Sequence, residues 1–545
     1  MTIRTLFSFP VLAVALLLSH HANAQAWQWA RDLGGTDADI GKDVCLDPQN
    51  NVHVAGWTIG EVTGDCATLT GSDATSIFLA EYDPFGACLW SRVDGGPGDD
   101  VARGIATDAQ GNTFITGSYS GLAQFGTVTL GVQGDADVFV AKYGPDGDFL
   151  WVAHGGGPFD EQGSAVATDA EGNVFVCGRY RSTCTFGAFT IGTVNNNFDA
   201  FLGKLDADGN WLWIRRAGDI GGEEANAVAV DAQGYAYITG WYSSPIAVFS
   251  SQQVSPVGGG ADIFLVKYTG DGTCLWVRGA GAASSDQGNA LAIDSQGYPY
   301  ISGWVSGDTA HFGGIALPPA YGEAEDMILA KYDPLGECLW AVRAGGSGTD
   351  VATGLSFIHR DVLIVSGQFT DTAAIGGTSL EAIAGTDVYT AGYDTTGAPL
   401  WALQAGGNGY EQAGKVVGTT TGVAYTTGSY ASQASFSGWT LDAVAASDLY
   451  LAKVGDMATA LPAADISAPV LRWDPVAALL TITVADGGTL PSGHLQVFDF
   501  AGRLSRSATT HGQRSVPLEG LAPGIYRVRL ITPMGPAFLS IAVGL

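Results

Sequence analysis

Basic residues are scarce. Against 54 Asp and Glu the 545-residue chain carries 24 Lys and Arg, a formal charge of −30. So acidic a chain repels nucleic acid phosphates and anionic lipid headgroups, which excludes nucleic acid as a partner. It suits a protein that meets cations or neutral polymers outside the cell. Long apolar runs are missing beyond the first 24 residues; none approaches the ~18 residues that cross a bilayer, so the mature chain has no expected membrane span. Cysteine is sparse, at seven, and its spacing gives no disulfide framework. Cys88, Cys274 and Cys338 share one register, two residues before a tryptophan, and read as small apolar packing positions. Cys177 and Cys184 leave one local disulfide open. Walker loops, nucleophile elbows and paired-cysteine zinc spacings are absent. His53, His154, His311 and His359 hold no common register, which argues against a repeated histidine–metal site. No catalytic set emerges.

Glycine, in contrast, is abundant at 78, and 46% of residues are hydrophobic. That mix fits short strands joined by tight turns, where glycine supplies the positive φ. Residues 1–24 have the marks of an export signal: Arg4, the apolar run "FSFPVLAVALLL", and Ala22-Asn23-Ala24 as a small-x-small cleavage site. They are set aside from the fold.

Trp29, Trp90, Trp151, Trp213, Trp276, Trp340 and Trp401 are spaced by 61 to 64 residues. A fixed period means a repeat architecture. One unit reads "DVARGIATDAQGNTFITGSYSGLAQFGTVTLGVQGDADVFVAKYGPDGDFLW". It contains four period-two runs separated by Asp/Gly turns, with an extra "FGTVTL" hairpin between the second and third. The hairpin is expected on one face of the repeat array. Four antiparallel strands per unit, repeated around an axis, predict an all-β, seven-bladed β-propeller over 25–455. The last unit lacks its Leu-Trp strand, and the segment "AWQWARDLGG" has no unit before it. The N-terminal segment is therefore expected to complete the last blade. The recurring tryptophan falls on the outermost strand, where it fills space between sheets.

Ten residues after each tryptophan stands an acid: Asp39, Asp100, Glu161, Glu223, Asp286, Asp350 and Glu411. A second series precedes the third strand: Asp137, Asp199, Asp262, Asp326, Asp387 and Asp448, with Ser76 in the first unit. Both series are expected on one face, the first at the mouth of a central channel. Two readings are open. The acids accept amide hydrogen bonds from the glycine loops, or the first series binds a cation, Ca²⁺ by its preference for oxygen ligands. The turns "DAQGN", "DAEGN" and "DADGN" read as hairpin turns rather than calcium loops.

Composition changes near residue 455. A linker at 456–467 precedes a lysine-free stretch, 468–545, whose strand pattern predicts a small β-sandwich. "LTITV", "LQVFDFAGRLSRS" and "VPLEGLAPGIYRVRL" resemble the C-terminal sorting domain of type IX secretion cargo in Bacteroidetes. The repeats, through "D-x-x-G-N-x-Y-I-T-G" and "D-x-F-L-x-K-Y", resemble the bacterial β-propeller repeat family often attached to such tails. The resemblance implies export to the periplasm, transfer across the outer membrane and a tail read by the secretion machinery. It implies no substrate. The function expected is a secreted or cell-surface binding or structural module, monomeric, with a glycan or protein ligand on the hairpins and acid-rich face. An extracellular carbohydrate-active enzyme is the alternative, since two of the many acids suffice for a glycosidase.

Overall fold

A computed structural model describes residues 25–456, apart from 36, 64, 65, 323, 360 and 445, and tail strands within 470–543. The expected export signal and linker lie outside the described residues. Every described element is a β-strand, and no described helix is long and apolar enough to cross a membrane. The chain divides into two compact units, 1–456 and 457–545.

In the first unit the repeat folds as its alternation demands. Asp100–Thr107, Thr113–Tyr119, Asp137–Tyr143 and Phe149–Gly156 form one antiparallel quartet in that order, from inner to outer strand. The turns follow from side-chain chemistry. Asp108 Oδ1 accepts the amides of Gln110 (2.9 Å) and Asn112 (2.9 Å), its Oδ2 accepts Asn112 Nδ2 (2.7 Å), and Gly111 takes φ +82°. This is an Asx-type turn closed on itself. Successive inner strands touch: Asp39–Leu46 meets Asp100–Thr107, and Gln412–Gly418 meets Asp39–Leu46. The apolar core lies between neighbouring quartets. Phe175 and Leu202, for example, share a cluster with Ile238 and Phe264 of the following unit.

The final quartet takes its outer strand from the other end of the sequence. Gln25–Gly35 pairs antiparallel with Asp448–Asp456, from Gln25 opposite Asp456 to Leu33 opposite Leu449. Trp27 is buried there and meets Phe436 edge-on, with ring centroids 5.0 Å apart.

The extra hairpins are placed differently from expectation. They do not stand free on a face. Each extends the outer edge of the preceding quartet: Gly155 and Gly156 pair with Phe186 and Thr185, and Ala280 and Gly281 with Phe312 and His311. Phe125, Phe186, Phe249, Phe312 and Phe436 are fully buried. An outer strand leaves unpaired backbone groups, and the hairpin caps part of that edge while its phenylalanine anchors it. The tryptophans also join units. The indole N–H of Trp151 donates to Ala207 O (3.1 Å) and that of Trp276 to Pro334 O (3.1 Å), each in the turn of the next unit.

Cys88 departs from its register group. It is bonded to Cys66 (Cα–Cα 5.3 Å), because the first unit's hairpin loop brings Cys66 to the start of the outer strand. Cys274 and Cys338 remain thiols, as do Cys177 and Cys184, so the local disulfide left open for that pair is not formed.

In the second unit, Val470–Asp474, Leu479–Thr483 and Ser515–Pro517 form one sheet. Leu504–Thr510, Gly493–Asp499, Gly524–Thr532 and Gly535–Val543 form another.

Candidate functional site

The acids of the first series begin the inner strands. All seven are buried, between 0% and 1% exposed, so none lines an open channel mouth. Each accepts amides of the glycine loop four residues upstream: Gly96 N–H to Asp100 (2.6 Å), Gly157 N–H to Glu161 (2.7 Å) and Gly346 N–H to Asp350 (2.7 Å). Thr58 donates its hydroxyl to Asp39.

The structure joins the two series in pairs across units. The amide of Asp286 donates to Ala261 O (2.7 Å), beside Asp262; that of Asp350 donates to Glu325 O (2.8 Å), beside Asp326; that of Asp39 donates to Ser447 O (2.9 Å), beside Asp448. The intervening glycine is required for space. A Cβ on Gly281 would lie 2.3 Å from Asp262 Oδ1 and 2.5 Å from Asp286 Oδ2. The Oδ1 atoms of Asp137, Asp199, Asp262, Asp326, Asp387 and Asp448 accept no hydrogen bond from the described residues.

Two buried carboxylates side by side disfavour double ionisation. Burial, then the charge of Glu223, pushes Asp199 up to about 8. Burial raises Glu411 to about 8, and the Asp387 charge adds to the rise against the Gly407 amide. Burial raises Asp39, Asp100, Glu161, Asp286 and Asp350 to about 7. Asp100 has Ser76 in place of a partner acid, and its rise comes from burial with only the neighbouring Asp99 charge adding to it.

Three residues after each acid the inner strand bulges. The register breaks between Gly41 and Asp43, Ala102 and Gly104, Gly163 and Ala165, Ala225 and Ala227, Gly288 and Ala290, and Ala352 and Gly354. A bulge leaves one residue out of the ladder and re-aims its side chain. The residues released are Lys42, Arg103, Ser164, Asn226, Asn289 and Thr353. In the last inner strand Gly414 and Lys415 fall between Ala413 and Val416. All of them line one cavity of about 290 Å³ at the convergence of the inner strands.

Some of these groups are structural. Asn226 Nδ2 donates to Gly288 O (2.9 Å), Asn289 Nδ2 to Ala352 O (2.8 Å), and Lys415 Nζ to Asn289 O (2.5 Å) and Thr353 O (2.9 Å). Lys42 and Arg103 are the other cations of the lining, and Arg103 Nη1 donates to Ser118 Oγ (2.8 Å). Burial, then the neighbouring Arg103, lowers Lys42. Burial lowers Arg103 to about 10, with Arg179 adding to the fall and Glu224 opposing it. The cavity thus holds crowded positive charge inside a strongly acidic protein.

Sequence reasoning placed attention on the acids and missed the bulged column. Its signal was present: within a repeating frame, the third position after each acid is polar or glycine and varies, as Lys42, Arg103, Ser164, Asn226, Asn289, Thr353 and Gly414.

No family model matches the chain. The chain is 24% identical over 418 residues to an uncharacterised WD repeat-containing protein of Acanthamoeba polyphaga mimivirus, covering 63% of this chain and 30% of that protein. It is 30% identical over 167 residues to the regulatory protein FlaEY of Caulobacter vibrioides, covering 30% of this chain and 17% of that one. The chain therefore spans less than a third of the length of either curated relative. Among solved structures, the extracellular domain of a one component system from B. thetaiotaomicron is similar with a TM-score of 0.27 at 10% identity, over 92% of this chain and 80% of that one. A puromycin hydrolase mutant complexed with PGG is similar with a TM-score of 0.39 at 10% identity, over 85% and 59%. The likeness to a WD-repeat protein and the repeated antiparallel quartets together make this chain a repeat protein of β-propeller type.

Proposed function

We propose that this chain is an exported, surface-displayed seven-bladed propeller. In this reading Gln25–Gly35 closes it, and its axial cavity binds an anionic ligand of about sugar size, such as a uronate. Closure is supported by the pairing of Gln25–Gly35 with Asp448–Asp456 and by the contact between the last and first inner strands. Export is supported by the Cys66–Cys88 disulfide, which suits an oxidising compartment. The tail, 468–545, acts as the sorting domain in this reading, met by the secretion machinery.

The observation that carries the ligand class is the bulged column. Lys42 and Arg103 share a cavity whose other charged lining groups are Glu224, engaged by Arg179 (3.0 Å), and Lys415, bonded to carbonyls. A ligand carboxylate or sulfate relieves the repulsion between two half-buried cations.

Calorimetric titration with galacturonate, glucuronate and neutral galactose tests this. Binding of an acidic sugar, weakened at least ten-fold in Lys42→Ser and Arg103→Ser, supports the reading. Equal affinity for charged and neutral sugars, or unchanged affinity in both variants, overturns it.

For the six acids of the first series that have a partner carboxylate, all but Asp100, a Ca²⁺ ion bridging each pair is the alternative to a shared proton. Ca²⁺ titration at pH 8 distinguishes the two: heat and a raised melting temperature support the ion, and neither supports the proton.

A further inference from the structure

In the second to fifth units, one arrangement recurs on the second and third strands. Phe114 stands opposite Lys142, Phe175 opposite Lys204, Tyr237 opposite Lys267 and Tyr300 opposite Lys331. Each lysine lies over its aromatic ring at 4.6 to 4.9 Å. Lys142, Lys204 and Lys331 also reach a turn aspartate: Asp108 at 3.7 Å, Asp169 at 3.1 Å and Asp294 at 3.8 Å. The lysine neutralises the buried acid, and the ring covers its stem.

The first unit keeps the acid, Asp47, and replaces both other partners. His53 stands where the aromatic stands, and Glu81 stands opposite it where the lysine stands. Two acids now share the site with no lysine. Asp47, His53 and Glu81 are 8%, 0% and 4% exposed. His53 Nε2 lies 3.9 Å from both Asp47 Oδ2 and Glu81 Oε2, too far for a hydrogen bond, and it has no hydrogen-bond partner among the described residues. One oxygen or nitrogen from each of the three residues lies within 4.8 Å of the others.

The surrounding bonds hold the three groups in place. Asp47 Oδ1 accepts the turn amides of Gln49 (2.8 Å) and Asn51 (2.7 Å), which leaves Oδ2 toward the site. Asn51 Nδ2 donates to Asp47 Oδ2 (2.9 Å) and Glu81 Oε1 (2.7 Å), and Trp90 Nε1 donates to Glu81 Oε2 (2.5 Å). His53 Nδ1 is 3.0 Å from the hydroxyl of Thr113 in the next unit. An outer hydrogen bond to the distal ring nitrogen orients a metal-binding imidazole.

We propose that Asp47, His53 and Glu81 bind one divalent transition-metal ion of the zinc class, which takes the place of the lysine that neutralises the matching acid in the second to fifth units. One imidazole nitrogen and two carboxylate oxygens suit such an ion. Bonds of about 2.1 Å in a tetrahedral site put ligand atoms about 3.4 Å apart, so each histidine–carboxylate separation of 3.9 Å needs a contraction of about half an ångström, and the two carboxylate oxygens, within 4.8 Å of one another, close by at most about 1.4 Å. The ion is structural, joining the inner turn to the third strand.

The test uses the full chain, stripped with chelator and dialysed. Calorimetry with Zn²⁺ is read together with the melting temperature with and without Zn²⁺. One Zn²⁺ per chain and a raised melting temperature are expected. The double variant H53F/E81K rebuilds the set found in the neighbouring units. It should fold, keep its melting temperature in chelator and bind Zn²⁺ at least ten-fold more weakly. His53→Gln, which keeps a similar volume, serves as the second variant should the double variant not fold, with the same loss expected. No Zn²⁺ binding by the wild type overturns the proposal, as does undiminished binding by whichever variant folds.

Discussion

Neutralising one acid of a buried pair should flatten the dependence of stability on pH. Asp199 is the informative position because burial and the Glu223 charge raise it to about 8, against about 3.9 in an unfolded chain. The folded state binds this proton more tightly than the unfolded state. Its contribution is therefore full below about pH 4 and is lost as pH rises through about 8. Between pH 5.5 and 8 the interval of 2.5 units corresponds to an upper limit of about 3 kcal/mol at 1.36 kcal/mol per unit. Relaxation and the high effective dielectric of real protein sites bring this to about 1 kcal/mol. Asp199→Asn keeps the shape and removes the titration. In urea unfolding followed by tryptophan fluorescence in chelator, the wild type should lose stability from pH 5.5 to pH 8. Asp199→Asn should lose about 1 kcal/mol less over the same interval. A wild type that is equally stable or more stable at pH 8 refutes the reasoning, as does a variant with the wild-type slope.

Two further outcomes are expected. Trp27→Ala should cost about 3–5 kcal/mol, the range for removing a large buried aromatic, because Trp27 anchors the N-terminal strand against Phe436; a loss below about 0.5 kcal/mol in denaturant unfolding would detach that strand from the stability of the last quartet. Cys66→Ser should lower stability by about 3 kcal/mol, the chain-entropy value for a loop closed over a separation of 22 residues, and the difference should vanish when both proteins are compared under reducing conditions.

Much of the architecture was legible in the chain because its physical causes are local. Alternation of apolar and polar residues determined the four strands of each unit. The Asp-x-x-Gly-Asn turns determined the hairpins between them, since Asp108 and its counterparts close the turn with their own side chains. The period of the tryptophans determined the unit length, and the unmatched strands at the two ends of the repeats anticipated the pairing of Gln25–Gly35 with Asp448–Asp456. What only the tertiary structure decided depends on which unit touches which. The two acid series, some 24 residues apart in sequence, become pairs because the third strand of one unit meets the inner strand of the next. The hairpins cap a neighbour's edge rather than display a surface, for the same reason. The bulge that turns Lys42 and Arg103 toward a shared cavity is a break in register, which periodicity alone does not reveal. The histidines hold no common register in the sequence, and the set around His53 is not legible there because Glu81, 28 positions away, joins His53 and Asp47 only through the pairing of antiparallel strands.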